Sequence, residues 1–251
     1  MPGRSGATMA EAAAKTAKGE QTRALILETA LELFRERGYE ETTMRAIAAR
    51  AGVAVGNAYY YFRSKEDLIQ HFYGRTHEEL VEAAAPILRD ERTFRARLRG
   101  VLRARLETID PYHAFAGVFF RTAADPASPL NPFSEASRPV REQVVATFDE
   151  VVRGSDDLRR LPADLASELP ELLWTYQMGI ILFWVHDRSP GRARTRRLME
   201  RSADLVARLV KLAGNPLLAP LRKSALRLFR DLRDDVASDP EPRDDGDARD
   251  D

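Results

Sequence analysis

The 251-residue chain contains no cysteine. Disulfides, thiolate nucleophiles and cysteine-ligated zinc are therefore excluded. Histidine is scarce, and the few present are not arranged for chemistry. His71 and His77 stand six apart and share no helical face, while His186 adjoins Asp187, so that the two project to different faces. No glycine-rich phosphate loop and no HExxH segment occurs. These absences predict a protein that is not an enzyme and carries neither cofactor nor metal. Long hydrophobic runs are missing as well. The longest, residues 172–185, is 14 residues and is interrupted by Gln177, too short to span a bilayer. The first residues hold no apolar signal core, so a soluble, cytoplasmic protein is expected. Neither sign of charge is in excess, with 39 basic and 39 acidic residues. This excludes a chain coated in basic charge, but not a local footprint on phosphates. No alternating strand pattern persists and no repeat is visible, so the expected fold class is all-α.

Carboxylates are absent from one further place. Residues 42–65, TTMRAIAARAGVAVGNAYYYFRSK, hold Arg45, Arg50, Arg63 and Lys65 but no acid, although Glu40, Glu41, Glu66 and Asp67 flank them. Thr43 can cap a helix over 44–50, with Ile47, Ala48 and Ala51 on one face. Gly52 supplies the turn. A second helix over 55–62 turns Ala58 and Phe62 inward and Gly56, Asn57, Tyr60 and Tyr61 outward. The small residues Ala48, Ala51 and Ala58 let the two helices cross closely. A helix presented in this way fits the major groove of B-DNA.

The order T-T-x-R-x-I-A-x-x-A-G-V-x-x-G-x-x-Y-Y-x-F-x-S-K-E-x-L resembles the DNA-binding domain of the TetR family of transcriptional regulators over residues 21–68. The remaining two-thirds is similar to that family only in length and helical character. The resemblance implies that Thr43 and Arg45 touch phosphate and a base edge. It places Gly56 and Asn57 at the start of the recognition helix and makes Tyr59 a phosphate contact, followed by Tyr60 and Tyr61. It makes Lys65 a phosphate-binding lysine at the head of the next helix. Two residues depart from the pattern: Ala54 stands where Ser or Thr often caps the recognition helix, a loss of about 1 kcal/mol, and Val55 replaces a commonly polar position.

Around this segment the chain divides into four stretches: a disordered N-terminal arm over 1–19, a helix-turn-helix domain over 20–64, a larger helical ligand-binding and dimerisation domain over 65–236, and an acidic disordered tail over 237–251. Leu27, Ala30, Leu31 and Phe34 make an apolar stripe on a helix over 21–37. A long helix starts after Ser64 and ends or kinks near Pro86. Residues 91–109 form a helix rich in arginine, read as a solvated face with carboxylate partners in preference to a second nucleic-acid surface. Pro170 is expected in the first turn of the most apolar helix, and Leu198, Leu205, Leu209 and Val210 on the inward face of the next. The resemblance implies that the helices near 170–187 and 192–213 pair two copies into a homodimer. It also implies a pocket for a small apolar or amphipathic effector, with His113, Phe119, Arg121, Trp174, Gln177 and Met178 as candidate contacts; for any one of them a packed core remains the alternative. The expected function is a ligand-responsive repressor on a palindromic operator. A DNA-binding activator or architectural protein without a small-molecule ligand stays open.

Overall fold

The computed structural model describes residues 5–238, with side chains over 17–233 apart from Phe115, Val118 and Arg121. Ten α-helices run in the order α1 (Ser5–Arg37), α2 (Met44–Ala51), α3 (Val55–Tyr61), α4 (Lys65–Asp90), α5 (Phe94–Ile109), α6 (His113–Ala123), α7 (Arg138–Arg153), α8 (Ala163–His186), α9 (Ala193–Ala213) and α10 (Ala219–Ser238), with no strand among the described residues.

The termini of these helices follow from their cap residues. Thr43 accepts from the Ala46 amide at the start of α2, Ser64 from that of Asp67 at the start of α4, and Thr93 from that of Ala96 at the start of α5. Gly38, at φ 92°, ends α1 with its amide on the Phe34 carbonyl.

Two apolar cores result. In the head, Ile26, Ala30 and Phe34 of α1 meet Ile47 and Ala48 of α2, Ala58 of α3, Phe62, and Leu68, Ile69 and Phe72 of α4. In the body, Leu80 and Ala84 of α4 pack with Leu98, Val101 and Leu102 of α5, Phe148 of α7, Trp174 of α8, and Met199 and Ala203 of α9. The 26-residue α4 serves both cores, over roughly 39 Å at 1.5 Å per residue. Gly100 permits its close approach to α5, since a Cβ there would lie 2.4 Å from Ile87 Cγ2.

Several expectations are corrected. The arm over 1–19 is helical from Ser5 onward, because its alanine-rich composition, with Lys15 and Lys18, favours helix; residues 1–4 lie outside the described residues. The tail over 237–251 also lies outside them, except that 237 and 238 close α10. Of the two outcomes expected near Pro86, an end or a kink, the end is excluded: α4 continues to Asp90, and Ile87 and Leu88 of its last turn pack on the body core. Pro170 lies two turns inside α8 rather than in its first turn, and is buried there together with Leu165 and Leu169.

The face of α9 is also reassigned. Only Val210 of the four expected inward residues is buried, while Leu198, Leu205 and Leu209 are exposed. The buried stripe is Thr195, Met199, Ala203, Ala207 and Val210. Its small residues bring α9 close to the body, and the leucines form a second stripe beside it.

The arginines of α5 take carboxylate partners where they face solvent: Arg95 and Arg99 pair with Asp204, and Arg103 with Glu200, all on α9. Arg97 is buried instead. Its guanidinium donates to the carbonyls of Val151, Leu88, Glu91 and Glu150 and so caps the ends of α4 and α7.

Candidate nucleic-acid interface and body cavity

The head presents α3 outward. Gly52, at φ 69°, turns the chain out of α2 with its amide on the Ala49 carbonyl, and the Val53 amide follows onto that of Ala48. Ala58 and Phe62 are fully buried, which fixes the opposite face of α3 toward solvent. On that face Gly56 and Asn57 are exposed, Tyr59 is half-exposed and Tyr60 is 80% exposed, the last excluding a core role. Tyr61 is half-buried and sits edge-on to Tyr60 at 5.1 Å. Thr43 and Arg45 are exposed at the start of α2. Arg50 instead pairs with Glu36 of α1 at 2.9 Å. The cap residue Ala54 makes no side-chain hydrogen bond to α3.

Lys65 is less free than its neighbours. Its Nζ donates to the Tyr39 carbonyl at 2.8 Å and the Glu40 carbonyl at 3.3 Å, and lies 4.4 Å from the Tyr39 ring. Tyr39 in turn donates from its hydroxyl to Glu66 at 2.5 Å. Burial first, and that hydrogen bond second, push the Tyr39 phenol far above its ordinary range. The sequence pattern shows none of this, because Tyr39 and Lys65 are 26 residues apart.

In the body, α4, α5, α6, α7 and α8 line a cavity of about 460 Å³ that is partly open to solvent. Its wall includes Phe119, Trp174, Gln177 and Met178, four of the six residues expected there. His113 is not on it. Its ring lies edge-on to Trp184, and Nε2 donates to the Trp184 carbonyl at 2.8 Å. The side chain of Arg121 lies outside the described residues. Sequence reasoning missed Phe72, Tyr73 and Thr76 of α4, Arg105 of α5 and Arg141 of α7, all on the wall. The first three read as ordinary positions of an amphipathic helix, and Arg105 as one arginine in a basic run. Gln177 is 2% exposed and its Oε1 has no partner among the described residues. Arg141 donates to the carbonyls of Pro132 and Ser134 and lies 5.8 Å from the Trp174 ring.

Cavity and head share walls. Phe72 of α4 and Phe119 and Ala123 of α6 line the cavity and belong to the head core. Arg75 of α4 joins Glu28 of α1 at 2.5 Å to the hydroxyl of Tyr112 at 2.9 Å. A change of volume in the cavity therefore bears directly on the packing of the head.

The chain thus combines a helix-turn-helix head with a larger helical body that holds an apolar cavity. Residues 26–72 match the family described as bacterial regulatory proteins, tetR family, and residues 97–226 match the tetracyclin repressor-like C-terminal domain. The second match covers more than half of the sequence, so the chain belongs to the TetR family. It is similar to the HTH-type transcriptional repressor KstR2 of Mycolicibacterium smegmatis, at 29% identity over 140 residues, 53% of this chain and 64% of that protein. KstR2 of Mycobacterium tuberculosis is 34% identical over 89 residues, 36% of this chain and 44% of its own length. The chain thus spans less than two-thirds of these relatives. Among solved structures, a TetR-family transcriptional regulator from Syntrophomonas wolfei shares the fold with a TM-score of 0.64 at 18% identity, covering 75% of this chain and 95% of that one.

Proposed function

We propose that the chain is a homodimeric transcriptional repressor that binds a palindromic operator and is released by a small amphipathic effector in the body cavity. The observation that carries this reading is the shared wall: Phe72, Phe119 and Ala123 pack at once against the cavity and the head core. An effector that fits the cavity better in one head position than another moves the equilibrium by that difference in affinity. Arg45 and Asn57 are the base readers, Thr43, Tyr59 and Lys65 contact phosphate, and Gly56, Tyr60 and Tyr61 complete the groove face. The exposed stripe of α9, together with Leu182 and Phe183 on α8, forms the dimer face. Tyr176 of α8 and Ser202 of α9 hydrogen-bond at 2.6 Å and tie its two halves together. Two-fold pairing suits DNA, because the two heads must reach half-sites about 34–36 Å apart or a multiple of that spacing.

A gel-shift or footprinting assay on palindromes selected from random DNA tests the reading. Arg45→Ala and Asn57→Ala are expected to weaken binding by about 1–3 kcal/mol and to relax preference at one position each. Lys65→Ala is expected to weaken all sequences alike. If no palindrome is preferred over random duplex, the proposal fails.

A further inference from the structure

The charge on the cavity wall is one-sided. The described side chains that line it include two arginines, Arg105 and Arg141, and no aspartate or glutamate. Arg105 is 5% exposed. Among the described residues it makes one hydrogen bond, from Nη1 to the Thr76 carbonyl at 3.2 Å, and its buried Nε has no partner. Arg97, two turns earlier on the same helix and equally buried, satisfies its guanidinium with four carbonyls. The carboxylate that acts on Arg105 is Glu79 of α4, which is half-exposed and faces Arg75 at 3.7 Å. His77 of α4, also buried, is held well below its ordinary range by burial and then by Arg105, so it is neutral near pH 7 and supplies no counter-charge. Burial lowers the Arg105 guanidinium to about 10, which leaves it cationic.

A buried charge with no carboxylate in salt-bridge contact is costly to the protein that holds it. Breaking such a pair costs more than replacing both partners by apolar groups, so an arginine kept without a salt-bridge partner on an apolar cavity wall is best explained by a counter-ion that comes from outside. Guanidinium groups take carboxylates through charge-assisted hydrogen bonds, and one free edge suits one such head. Apart from Thr76, Asn131, Ser137 and Gln177, the rest of the wall is apolar and suits an apolar body, and about 460 Å³ is in the range of small-molecule sites. We infer that the effector is an amphiphilic monocarboxylate whose head is held by Arg105 and whose apolar body fills the cavity between α4, α6 and α8. Arg141, also on the wall, is already engaged with two carbonyls and the Trp174 ring and adds a secondary attraction. Gln177 offers a carbonyl oxygen to any hydroxyl along the body of the ligand. The inference rests on the reading of this cavity as the effector site.

The chain reports on its own cavity, since its only two tryptophans, Trp174 and Trp184, both line it. Intrinsic fluorescence of the full chain is titrated with dodecanoate and with dodecanol, which differ only in the head. Dodecanoate is expected to bind at least tenfold more tightly. Arg105→Met is expected to remove that preference while leaving the melting temperature of the ligand-free protein unchanged or higher. Arg105→Lys, which keeps the charge, is expected to retain part of the preference. Equal binding of the two probes by the unmodified protein, or a carboxylate preference that survives Arg105→Met, would overturn the inference. So would unfolding of Arg105→Met of the kind expected for Arg97→Met, because it would make Arg105 a structural residue. A separate gel shift reads release from DNA. Tight, Arg105-dependent dodecanoate binding that leaves DNA bound supports the ligand assignment and counts against the repressor reading instead.

Discussion

Ala54 caps α3, the proposed recognition helix, without a side-chain acceptor. Its backbone, at φ −63° and ψ 145°, already has the geometry of an N-cap, and its side chain is exposed. Ala54→Ser adds the missing acceptor without displacing a neighbour. It is expected to stabilise the protein by about 1 kcal/mol, read as a rise in melting temperature of about 2–4 °C. Asp187 is the opposite case. It is buried at the α8–α9 corner, and accepts from the amide and hydroxyl of Ser189 and from the amide and hydroxyl of Thr195. Burial pushes its carboxyl upward, and these four donors more than reverse that, holding it well below the usual carboxylate range. A depressed value means that the stabilisation is present above the unfolded value near pH 4 and is lost as pH falls below it. Asp187→Asn is expected to cost about 1.5–3 kcal/mol at neutral pH. In urea titrations across pH 7 to 3 the gap between the two proteins is expected to narrow at the acid end; a constant gap would show that the charge is not what matters.

At the scale of elements, α9 carries two apolar stripes, one buried and one exposed. Thr195, Met199, Ala203, Ala207 and Val210 face the body, and Leu198, Leu205, Leu209 and Leu212 face out. Burying a leucine is worth about 1.5–3 kcal/mol, and a two-fold interface counts each substitution twice. The double variant Leu205→Glu with Leu209→Glu is therefore expected to sediment as a monomer at micromolar concentration. Its helical content should not change, because both positions are exposed in the single chain. Dimers that persist in this variant would place the interface elsewhere. The C-terminal α10 is held to α8 by ion pairs of Arg222 with Asp164, Arg230 with Glu168 and Arg233 with Glu168 and Glu171, and it buries Leu226. Its acidic partners on α8 precede it by about 60 residues, so neither stretch alone reveals the pairing.

For the whole molecule, the two cores meet along α4 and α6, and on the proposed function binding at one end is linked to binding at the other. Linkage is reciprocal: if an effector weakens operator binding tenfold, the operator must weaken effector binding tenfold. Dodecanoate titrated against the free protein and against its operator complex, with tryptophan fluorescence as the readout, is expected to show the same factor as the gel shift with and without dodecanoate. Phe119→Ala removes a side chain common to the cavity wall and the head core. It is expected to reduce that factor more than it reduces binding of either partner alone, measured by the same pair of titrations.

What the sequence determined by itself is local. The carboxylate-free segment, the Thr43 and Ser64 caps, the Gly52 turn and the inward pair Ala58 and Phe62 are set by neighbours within a few residues, where spacing translates directly into geometry. The all-α class and the TetR resemblance rest on the same short-range signals. Only the tertiary structure decided which of two apolar stripes on α9 the chain keeps for itself, that Lys65 is tied to Tyr39, and that Arg97 is satisfied while Arg105 is not. Periodicity shows that a face is apolar or a residue charged, but not what will stand opposite it. Arg97 and Arg105 occupy similar places in one basic helix, and the carbonyls of α4 and α7 that separate their roles reach them only when the chain is folded.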